Sequence, residues 1–409
     1  MQMAIHSSNT SSTQHQASGS RIAIVGAGLT GLIAAHALMQ KGFEVTVFDR
    51  DAGIDARPRD WSILIHWGMA VLKEMLPEHV LKNIPESYCN PYLEFNEWDE
   101  SIPFYNGLTG EMLFRSQTPD ARRVSRLRLR KVLADGVDIQ WGKYLEHIIP
   151  GKISVELVFR DGAKFDADHV LGADGASSKV RALLMGAEAA KPVPSGFSVA
   201  NCICKYGDAD KVNTIIGAHS VLALMIGSKN MAGCGVLSVD DPKDVSTWEM
   251  LWAKVWRGHS PSLQGQEAIE YATKDLEGIC EPFRSALEWT PKDSVCFLGE
   301  MKYWLPSPWE THDGRVTLAG DAAHPMLPFR GQGFQHAIID VQKYTIGLTQ
   351  LRGIDSTTYR EEIMLAYQAD VIERGSKAVA QSLQEAENVL DIKTVGKMLL
   401  VKQGHSRSA

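Results

Sequence analysis

The alternation of apolar and polar positions first becomes regular at Arg21. Residues 22–25, Ile-Ala-Ile-Val, form a short apolar run of the kind that is buried in a parallel sheet. A glycine-rich loop at 26–31, a helical stretch ending near Gly42 and a second strand-like run at 44–49 follow. The pattern predicts one complete βαβ unit over residues 21–49.

Strand and helix patterns alternate again further along the chain. Residues 152–160 and 163–170 alternate like two strands about Asp161-Gly162, a dipeptide favoured in hairpins. Short mixed segments and four of the ten tryptophans fill residues 186–300 and indicate a second domain. A buried strand at 316–319 leads into Gly320-Asp321, and helical patterns continue to about residue 390. The predicted fold class is α/β, with a Rossmann-like domain, an inserted mixed-sheet domain and C-terminal helices.

Composition narrows the possible functions. The chain of 409 residues is 44% apolar and 22% charged, which is typical of a globular protein with a sizeable core. The net charge of −7 argues against a nucleic-acid partner, because such proteins need clustered excess Lys and Arg. Neither the six cysteines nor any other residues show metal-ligand spacing, so no metal is predicted.

Targeting features are also lacking in the sequence. No apolar run approaches the roughly 20 residues that span a bilayer, and the N-terminus lacks a secretory signal. We therefore expect a reduced, cytoplasmic protein without an integral membrane segment. Residues 1–20 contain few apolar side chains, and we expect them to form a disordered tail.

The loop after the first strand has the spacing of a dinucleotide-binding motif. Gly26 would permit the tight turn, Gly28 the approach of a pyrophosphate and Gly31 the packing of helix on strand. Asp49 ends the next strand 18 residues after Gly31, where its carboxylate can accept a hydrogen bond from a ribose hydroxyl. An acid there favours FAD or NAD over NADP, and the alternative is a glycine turn that binds no nucleotide.

Two later motifs favour FAD by resemblance. Residues 170–181, VLGADGASSKVR, are similar to the DG motif of the class A FAD-dependent monooxygenases, the flavin-dependent aromatic hydroxylases with a p-hydroxybenzoate hydroxylase-like fold. Residues 315–325, RVTLAGDAAHP, and 328–333, PFRGQG, resemble the GD motif and flavin-ring loop of that family. The resemblance implies that the FAD-binding residues of these motifs are Asp174, Gly320, Asp321, Pro328, Gly331 and Gly333.

The resemblance also implies a domain order. It predicts a disordered tail (1–20), the first part of an FAD-binding domain with some strands contributing to the substrate domain (21–185), an inserted substrate domain (186–300), the second part of the FAD-binding domain (301–350) and C-terminal helices (351–409).

Several residues in these motifs have expected roles. Asp321 would hydrogen-bond a ribityl hydroxyl of FAD, and the alternative is an N-cap for the next helix. Gly331 and Gly333 bracket a loop that enters a helix predicted over 334–348, whose positive end could stabilise negative charge on a reduced flavin. His324 belongs to the same match and could be either structural or catalytic.

Arginines supply two further candidates. Residues 122–133 resemble the arginine-led helix of the family, in which the first arginine of an RxxLxxxL pattern contacts FAD, and Arg126 has that position. We expect the other arginines of the run to lie on a solvated helix face. Arg59 stands where family members pass a loop beside the flavin, so Arg59 is a candidate FAD contact and His66 a candidate pocket residue. A surface arginine and a core histidine are the alternatives.

Three positions depart from the common family pattern. Asp49 stands where many members have Glu, Gln335 where many have Asn, and Ile339 where many have Glu just before Asp340. These departures concern the details of cofactor contact, so they leave the predicted fold unchanged.

The resemblance implies a monooxygenase that uses FAD, with NAD(P)H as a transient co-substrate and molecular oxygen. It would hydroxylate or epoxidise a small aromatic or secondary-metabolite substrate through a C4a-hydroperoxyflavin. An FAD-linked dehydrogenase or reductase, a flavin-dependent halogenase and a non-catalytic redox sensor are the alternatives. The halogenase motif WxWxIP is not matched by Trp304-Leu305-Pro306.

Substrate contacts are less defined by the sequence. Aromatic residues of the second domain are candidate pocket-lining residues, with packing in the domain core as the alternative for each, and no catalytic acid or base is identified. The substrate, Baeyer–Villiger chemistry, the choice between NADH and NADPH, and the oligomeric state stay open. The candidate pocket residues are Phe197, Tyr206, Trp248, Trp252 and Trp256.

Overall fold

A computed structural model describes residues 20–57 and 59–405 of the chain. Within these residues, strands form four sheets and helices pack around them. The predicted disordered tail lies outside the described residues except for Ser20, and so do the last four residues of the predicted C-terminal helices.

The strands are β1 (Arg21–Val25), β2 (Glu44–Phe48), β3 (Ser62–Ile65), β4 (Ser101–Asn106), β5 (Met112–Gln117), β6 (Arg122–Ser125), β7 (Ile139–Gln140), β8 (Leu145–Pro150), β9 (Val155–Phe159), β10 (Lys164–Ala167), β11 (His169–Gly172), β12 (Val193–Cys204), β13 (Leu222–Ile226), β14 (Asn230–Ser238), β15 (Glu249–Arg257), β16 (Leu263–Gln264), β17 (Val295–Tyr303) and β18 (Val316–Leu318). The α-helices are α1 (Leu29–Gln40), α2 (Gly68–Met75), α3 (Glu78–Asn83), α4 (Arg126–Ala134), α5 (Lys179–Met185), α6 (Ala209–Ile216), α7 (Gly265–Thr273), α8 (Phe283–Glu288), α9 (Gly333–Gln350), α10 (Thr357–Asn388) and α11 (Leu399–Gln403).

A parallel sheet carries the predicted βαβ unit. Its strand order is β18-β11-β1-β2-β7, and every pairing in it is parallel. The predicted strand, helix and strand over residues 21–49 are confirmed as β1, α1 and β2. Because parallel strands end at one edge, the loops after β1, β2, β11 and β18 meet there, which is the usual ligand edge of such sheets.

The predicted hairpin is confirmed at its turn and wrong in its second strand. β9 pairs antiparallel with β10 in a three-stranded sheet, but residues 163–170 are not one strand. β10 ends at Ala167, and β11 begins at His169 within the parallel sheet. The chain passes from the three-stranded sheet to the parallel sheet at Asp168. The Asp168 N–H donates to the Arg21 carbonyl, and its Oδ2 accepts from the Arg21 N–H, both at 2.8 Å.

The arginine-rich run is likewise two elements. Its first four residues form β6, which pairs antiparallel with β3, and α4 begins at Arg126. The helix begins there because Ser125 Oγ accepts a hydrogen bond from the Arg128 N–H at 3.1 Å. The expectation of a solvated helix face is wrong for Arg123 and Arg130, which are only 7% and 4% exposed.

The largest sheet is mixed, as predicted. Its order is β16-β17-β12-β15-β14-β13-β4-β5, and among these pairings only β4 with β13 is parallel. One face packs in a core cluster with α6, α7 and α8 that includes Tyr206, Trp248 and Trp252. The other face packs against Leu327 and Phe329, which lie in the segment before α9. Among the candidate aromatic residues, Phe197 lies on this face and contacts Phe329.

The C-terminal helices return the chain to this second face. α10 spans 32 residues, and the fully buried Glu385 near its end accepts hydrogen bonds from the N–H groups of Leu399 and Leu400. These bonds fix the start of α11 beside β5. Every helix described between residues 20 and 405 is too short or too polar to cross a membrane.

Candidate active site

The three glycines of the first loop differ in how much room the structure leaves for a side chain. Gly26 has a φ of 111°, and a Cβ on it would lie 2.4 Å from the Ala173 carbonyl oxygen. A Cβ on Gly31 would lie 2.0 Å from the Gly26 oxygen. A Cβ on Gly28 would meet no described atom within 4 Å. Gly26 and Gly31 are therefore required by packing, whereas Gly28 leaves the unblocked start of α1 accessible to a ligand.

Asp49 is held at the same edge of the sheet. Its Oδ2 accepts from the Ala27 N–H at 2.7 Å and its Oδ1 from the Asp51 N–H at 2.8 Å. Each carboxylate oxygen can accept a second hydrogen bond, so this geometry leaves capacity for a ribose hydroxyl.

Arg130 also joins this cluster, in contrast to the solvated helix face expected for it from the sequence. Its Nε donates to the Ala27 carbonyl at 2.7 Å, and its Nη2 lies 3.7 Å from carboxylate oxygens of both Asp49 and Asp51. The buried arginine thus ties α4 to the glycine loop. Its spacing of four residues from Arg126 puts both on one face of the helix, and this was the available sequence signal.

Asp174 organises the loop after β11. Its carboxylate accepts hydrogen bonds from Ser178 Oγ and from the N–H groups of Lys179 and Val180, at the start of α5. Burial raises the pKa of Asp174, while these hydrogen bonds oppose the rise. Its predicted contact with FAD stays a prediction.

Arg181 connects the DG and GD loops. This fully buried side chain donates to the carbonyls of Ala176 and Ala322, the latter at 2.7 Å, and its guanidinium lies over the Trp304 ring. It belongs to the quoted DG motif, but it was not singled out from the sequence.

Asp321 lies in a short 3-10 turn, Gly320–Ala322, that follows β18. It is exposed, and in residues 20–57 and 59–405 its carboxylate has no hydrogen-bond partner. Protein surrounds it closely enough that burial raises the pKa of Asp321, and His324, Arg126 and Arg181 oppose that rise. The N-cap alternative is wrong, because the next α-helix begins only at Gly333.

A buried network fixes the GD loop. Asp340 of α9 accepts from the Gly320 N–H at 2.7 Å, from His324 Nε2 at 2.7 Å and from Arg374 Nη2 at 2.6 Å. The electrostatic attraction of His324 and Arg374, with the hydrogen bonds from His324 and from the Gly320 N–H, holds the pKa of Asp340 below its ordinary value despite its burial. The position of His324, fully buried and bound to Asp340, supports the structural alternative for this residue.

Gly320 brings this loop against α1. Its φ is 61°, and a Cβ on it would lie 2.6 Å from Oγ1 of Thr30 in the first turn of the helix. A side chain at position 320 would therefore both strain the backbone and separate the two loops.

The ring loop, residues 328–333, ends in an uncapped helix. Gly331 has a φ of 61°, and α9 begins at Gly333 with no side-chain hydrogen bond from its N-cap. The observed start of this helix precedes the predicted one by one residue. Free backbone N–H groups and the helix dipole make this end favourable for negative charge.

The segment after β3 holds the ring loop by long-range hydrogen bonds. His66 Nε2 lies 3.1 Å from the Gly331 carbonyl oxygen, and Trp67 Nε1 donates to Gln332 Oε1 at 3.1 Å. Gln335 accepts from the Gly68 N–H at 3.1 Å and donates to the Leu64 carbonyl at 2.8 Å. The glutamine found here in place of the family's common Asn therefore clamps α9 to β3.

His405 packs against His66 from the C-terminal end of the described chain. The two ring centroids are 5.5 Å apart, and His405 Nδ1 lies 2.9 Å from Ser116 Oγ. Burial lowers the pKa of His66 to about 4 and that of His405 to about 3, so both are neutral at neutral pH. No feature of the sequence indicated that His405 would lie here.

Arg59 and Arg126 both stack on Trp61. Their guanidinium carbons lie 5.3 and 4.6 Å from its ring centroid, and Arg59 also lies 5.3 Å from the Phe297 ring of β17. The two predicted arginines therefore lie together, and Arg126 contributes to the electrostatic environment of Asp321.

The comparisons with known proteins agree with this geometry. A family model described as an FAD binding domain matches residues 20–382. The FAD-dependent monooxygenase phnB of Penicillium herquei is 31% identical over 390 residues, covering 94% of each chain. The chain belongs to the FAD-dependent monooxygenase family. The FAD-dependent monooxygenase cctM of Talaromyces islandicus is another relative, 30% identical over 88% of this chain and 91% of its own.

Structural comparison supports the fold of this FAD-dependent monooxygenase. The structure of Klebsiella pneumoniae HpxO, complexed with FAD and uric acid, superposes with a TM-score of 0.71 and 18% identity over 94% of this chain and 92% of its own. The predicted family, fold class, oxidoreductase class and FAD cofactor are confirmed.

The site residues fit FAD on their own geometry. Gly28 leaves the start of α1 accessible, Asp49 retains acceptor capacity, and the exposed carboxylate of Asp321 is attracted electrostatically by Arg126 and Arg181. Among the described residues, no cluster of His, Cys, Asp and Glu could hold a metal ion.

Proposed function

We propose that this FAD-dependent monooxygenase hydroxylates or epoxidises a small aromatic or secondary-metabolite substrate, taking electrons from NAD(P)H and one oxygen atom from molecular oxygen. The proposal rests above all on Asp321, whose exposed carboxylate follows β18 and is attracted electrostatically by Arg126 and Arg181. The names of the fungal relatives support a role in oxygenation rather than in dehydrogenation or halogenation.

We assign twelve residues to FAD binding. The glycine loop and Asp49 would hold the adenosine and pyrophosphate end, and the GD and ring loops would hold the ribityl chain and the flavin ring. The assigned residues are Gly26, Gly28, Gly31, Asp49, Arg59, Arg126, Asp174, Gly320, Asp321, Pro328, Gly331 and Gly333.

When bound, FAD supplies the electron transfer and oxygen-transfer chemistry that the side chains lack. The residues of the chain would bind and orient the cofactor and the substrate, and they would exclude water. The uncapped start of α9 would stabilise negative charge near the ring loop, and Asp321 would accept a hydrogen bond from a ribityl hydroxyl. Phe197 and Phe329, with ring centroids 6.4 Å apart, belong to an apolar wall that would keep the reaction dry.

The domain boundaries predicted from the sequence form part of this proposal. We assign residues 21–185 and 301–350 to FAD binding, 186–300 to the substrate and 351–409 to C-terminal helices. In the described structure, β4 and β5 also belong to the eight-stranded sheet, which supports the idea that the earlier segment contributes strands to the substrate domain. A location in the cytoplasm and the lack of a nucleic-acid partner stay predictions.

The test is an incubation of the purified, FAD-loaded protein with NADPH or NADH, a pool of aromatic metabolites and isotopically heavy oxygen gas. A monooxygenase would place one heavy oxygen atom in an enzyme-dependent product, detected by mass spectrometry. A halogenase would need halide and would leave the product unlabelled. Substrate-independent NAD(P)H consumption that yields only peroxide, or no consumption at all, would argue against the proposal.

A further inference from the structure

The face of the eight-stranded sheet that is turned toward the ring loop is open at its centre. Two apolar clusters lie on this face, one with Val255 and Phe329 and the other with Leu237 and Leu251. Ala253 lies between Leu251 and Val255 on β15, and alternate residues of a strand point to the same face. Ala253 belongs to neither cluster and is partly exposed. The middle of this face is therefore accessible between the two clusters.

Four residues cross the middle of this face in register, and we call them the central strip. Phe297 of β17 pairs with Asn201 of β12, which pairs on its other side with Ala253. Ala253 pairs in turn with Gly233 of β14. Along this row the side chain shrinks from an aromatic ring to an amide, a methyl group and a hydrogen atom. A surface of this shape suits a flat ligand that lies along the sheet and is bounded by Phe297.

The structure leaves space above one end of the central strip. Gly299 lies two positions after Phe297 and on the same face, and a Cβ on it would meet no described atom within 4 Å. By contrast, a Cβ on Gly233 would lie 2.4 Å from Cδ2 of Leu224. A ligand would therefore have room above β17, whereas Leu224 closes the end of the strip on β14.

Asn201 gives the strip its hydrogen-bonding capacity. Its neighbours Ala200 and Cys202, on the opposite face, are fully buried, whereas Asn201 is partly exposed. No described residue forms a hydrogen bond with its side-chain amide. Asparagine is depleted in strands, and its amide offers an NH₂ donor beside a carbonyl acceptor. The strip therefore holds an uncommitted donor and acceptor between an aromatic ring and a methyl group.

Strand β12 leads from this amide toward the ring loop. Phe197 lies four positions before Asn201 and on the same face, and its ring centroid is 6.4 Å from that of Phe329. Four residues of a strand span about 13 Å, which is the length of a small molecule of two or three fused rings. A ligand anchored at Asn201 would therefore extend along the face toward the proposed flavin position.

We propose that Asn201 is a specificity-determining residue, which binds a neutral substrate group that carries a hydrogen-bond donor beside an acceptor while the flat part of the substrate lies on the central strip. This inference rests on the proposed function, and it deepens that function by assigning a substrate-binding residue. A substrate without such a group would leave the amide unpaired beneath it, which weakens binding.

The test is a binding titration that needs no turnover. FAD-loaded protein is titrated with 1-isoquinolone and 2-pyridone, neutral lactams that carry an N–H beside a carbonyl, and with their N-methyl derivatives, which lack the donor. The flavin absorbance spectrum reports binding. We expect at least one lactam to bind about 10-fold to 100-fold more tightly than its N-methyl derivative. If neither lactam perturbs the flavin spectrum, or if the affinities within both pairs are equal, the inference is wrong.

Variants connect this preference to one side chain. Asn201→Leu keeps the size of the side chain but loses both hydrogen-bonding groups, so it should abolish the preference for the lactam. Asn201→Asp keeps an acceptor for the N–H group and should retain part of the preference. Asn213→Leu, at an exposed position of α6, is the matched control and should leave it unchanged. An Asn201→Leu protein that retains flavin and the full preference would contradict the inference.

Gly299→Ala tests the position of the ligand without touching the amide. Its Cβ would enter the space above the strip and meet no described atom, so the free energy of unfolding should be nearly unchanged. Binding of the lactams should weaken about 10-fold, because the added methyl group and the ligand compete for the same space. This variant decides if Asn201→Leu fails to hold FAD, and unchanged lactam binding would show that the ligand does not lie on the strip.

The outcome is also independent of oxygenation. Donor-selective binding that depends on Asn201, without heavy oxygen in any product, would contradict the proposed function alone. A labelled product that Asn201→Leu forms with the KM and kcat of the wild type would contradict this inference alone.

Discussion

The two ends of the proposed FAD site are held in different ways. The glycine loop has one partner that is close in sequence, since the Ala27 N–H donates to Asp49, 22 positions away, and one that is distant, since Arg130 donates to the Ala27 carbonyl from 103 positions away. The ring loop depends on distant partners, since His66 lies 265 positions from Gly331 and Gln381 lies 51 positions from Arg330. The first end therefore combines a local motif with distant support, whereas both of these partners of the ring loop lie at least 51 positions away.

The largest expected effect is that of a substitution in the glycine loop. Gly31→Ala would force a Cβ to within 2.0 Å of the Gly26 oxygen, so the loop and α1 must separate. We expect the free energy of unfolding to fall by about 3 kcal/mol or more, measured by denaturant titration of the FAD-free protein.

Gly28→Ala is the matched control in the same loop. Its Cβ meets no described atom within 4 Å, so the stability of the FAD-free protein should change by about 1 kcal/mol at most while FAD affinity falls. Equal destabilisation by both substitutions would mean that Gly28 serves packing and not the ligand.

Acid should lower the stability of the ring-loop end of the FAD site. The folded pKa of His66 is lowered to about 4 from 6.5, so its contribution to stability is present above pH 6.5 and is lost as the pH falls toward 4. This loss should reach at most about 3 kcal/mol, and His66→Gln should remove it from the pH dependence of unfolding.

His169 provides the control for this pH effect. Burial lowers its pKa to about 3, and it lies on β11, away from the ring loop. His169→Gln should alter the global pH dependence without altering the flavin spectrum between pH 6.5 and 4. An unchanged pH dependence in His66→Gln would contradict the assignment of the acid effect to the ring loop.

Asp321 lies where the two ends meet. Asp321→Asn removes a charged acceptor but keeps the size of the side chain, and FAD affinity should fall by about 10-fold to 100-fold. Equilibrium dialysis with free FAD measures this directly. The stability of the FAD-free protein should be nearly unchanged, because the carboxylate has no hydrogen-bond partner among the described residues; full retention of flavin would contradict the assignment.

The smallest expected effect concerns the clamp between α9 and β3. Gln335→Asn restores the common family residue but shortens the side chain, so it cannot keep both its bond from the Gly68 N–H and its bond to the Leu64 carbonyl. We expect a loss of about 1 kcal/mol in unfolding free energy, measured by thermal denaturation. Gln342→Asn, on the exposed face of the same helix, is the control.

The contrast between the two ends also explains what could be predicted from the sequence. The βαβ unit was predictable because apolar runs, glycines and Asp49 follow one another within 29 residues. The division of residues 163–170 between two sheets was not, since both strands continue one alternation and only the pairing of Asp168 with Arg21 separates them. Burial of Arg123 was equally hidden, because a charged run on a strand gives no sign of which side chains face inward, whereas the four-residue spacing of Arg130 from Arg126 does indicate a shared helix face.

The ring loop has a consequence for the biosynthesis of this enzyme. The N–H of Leu327, immediately before the loop, donates to Ser382 Oγ, 55 positions further along the chain, and Arg330 within the loop donates to Gln381. Translation therefore completes the glycine loop early and delivers the partners of the ring loop only after most of α10 has been made. We expect stable loading with FAD to wait until α10 has been synthesised, so a nascent chain that ends before α10 should bind FAD weakly.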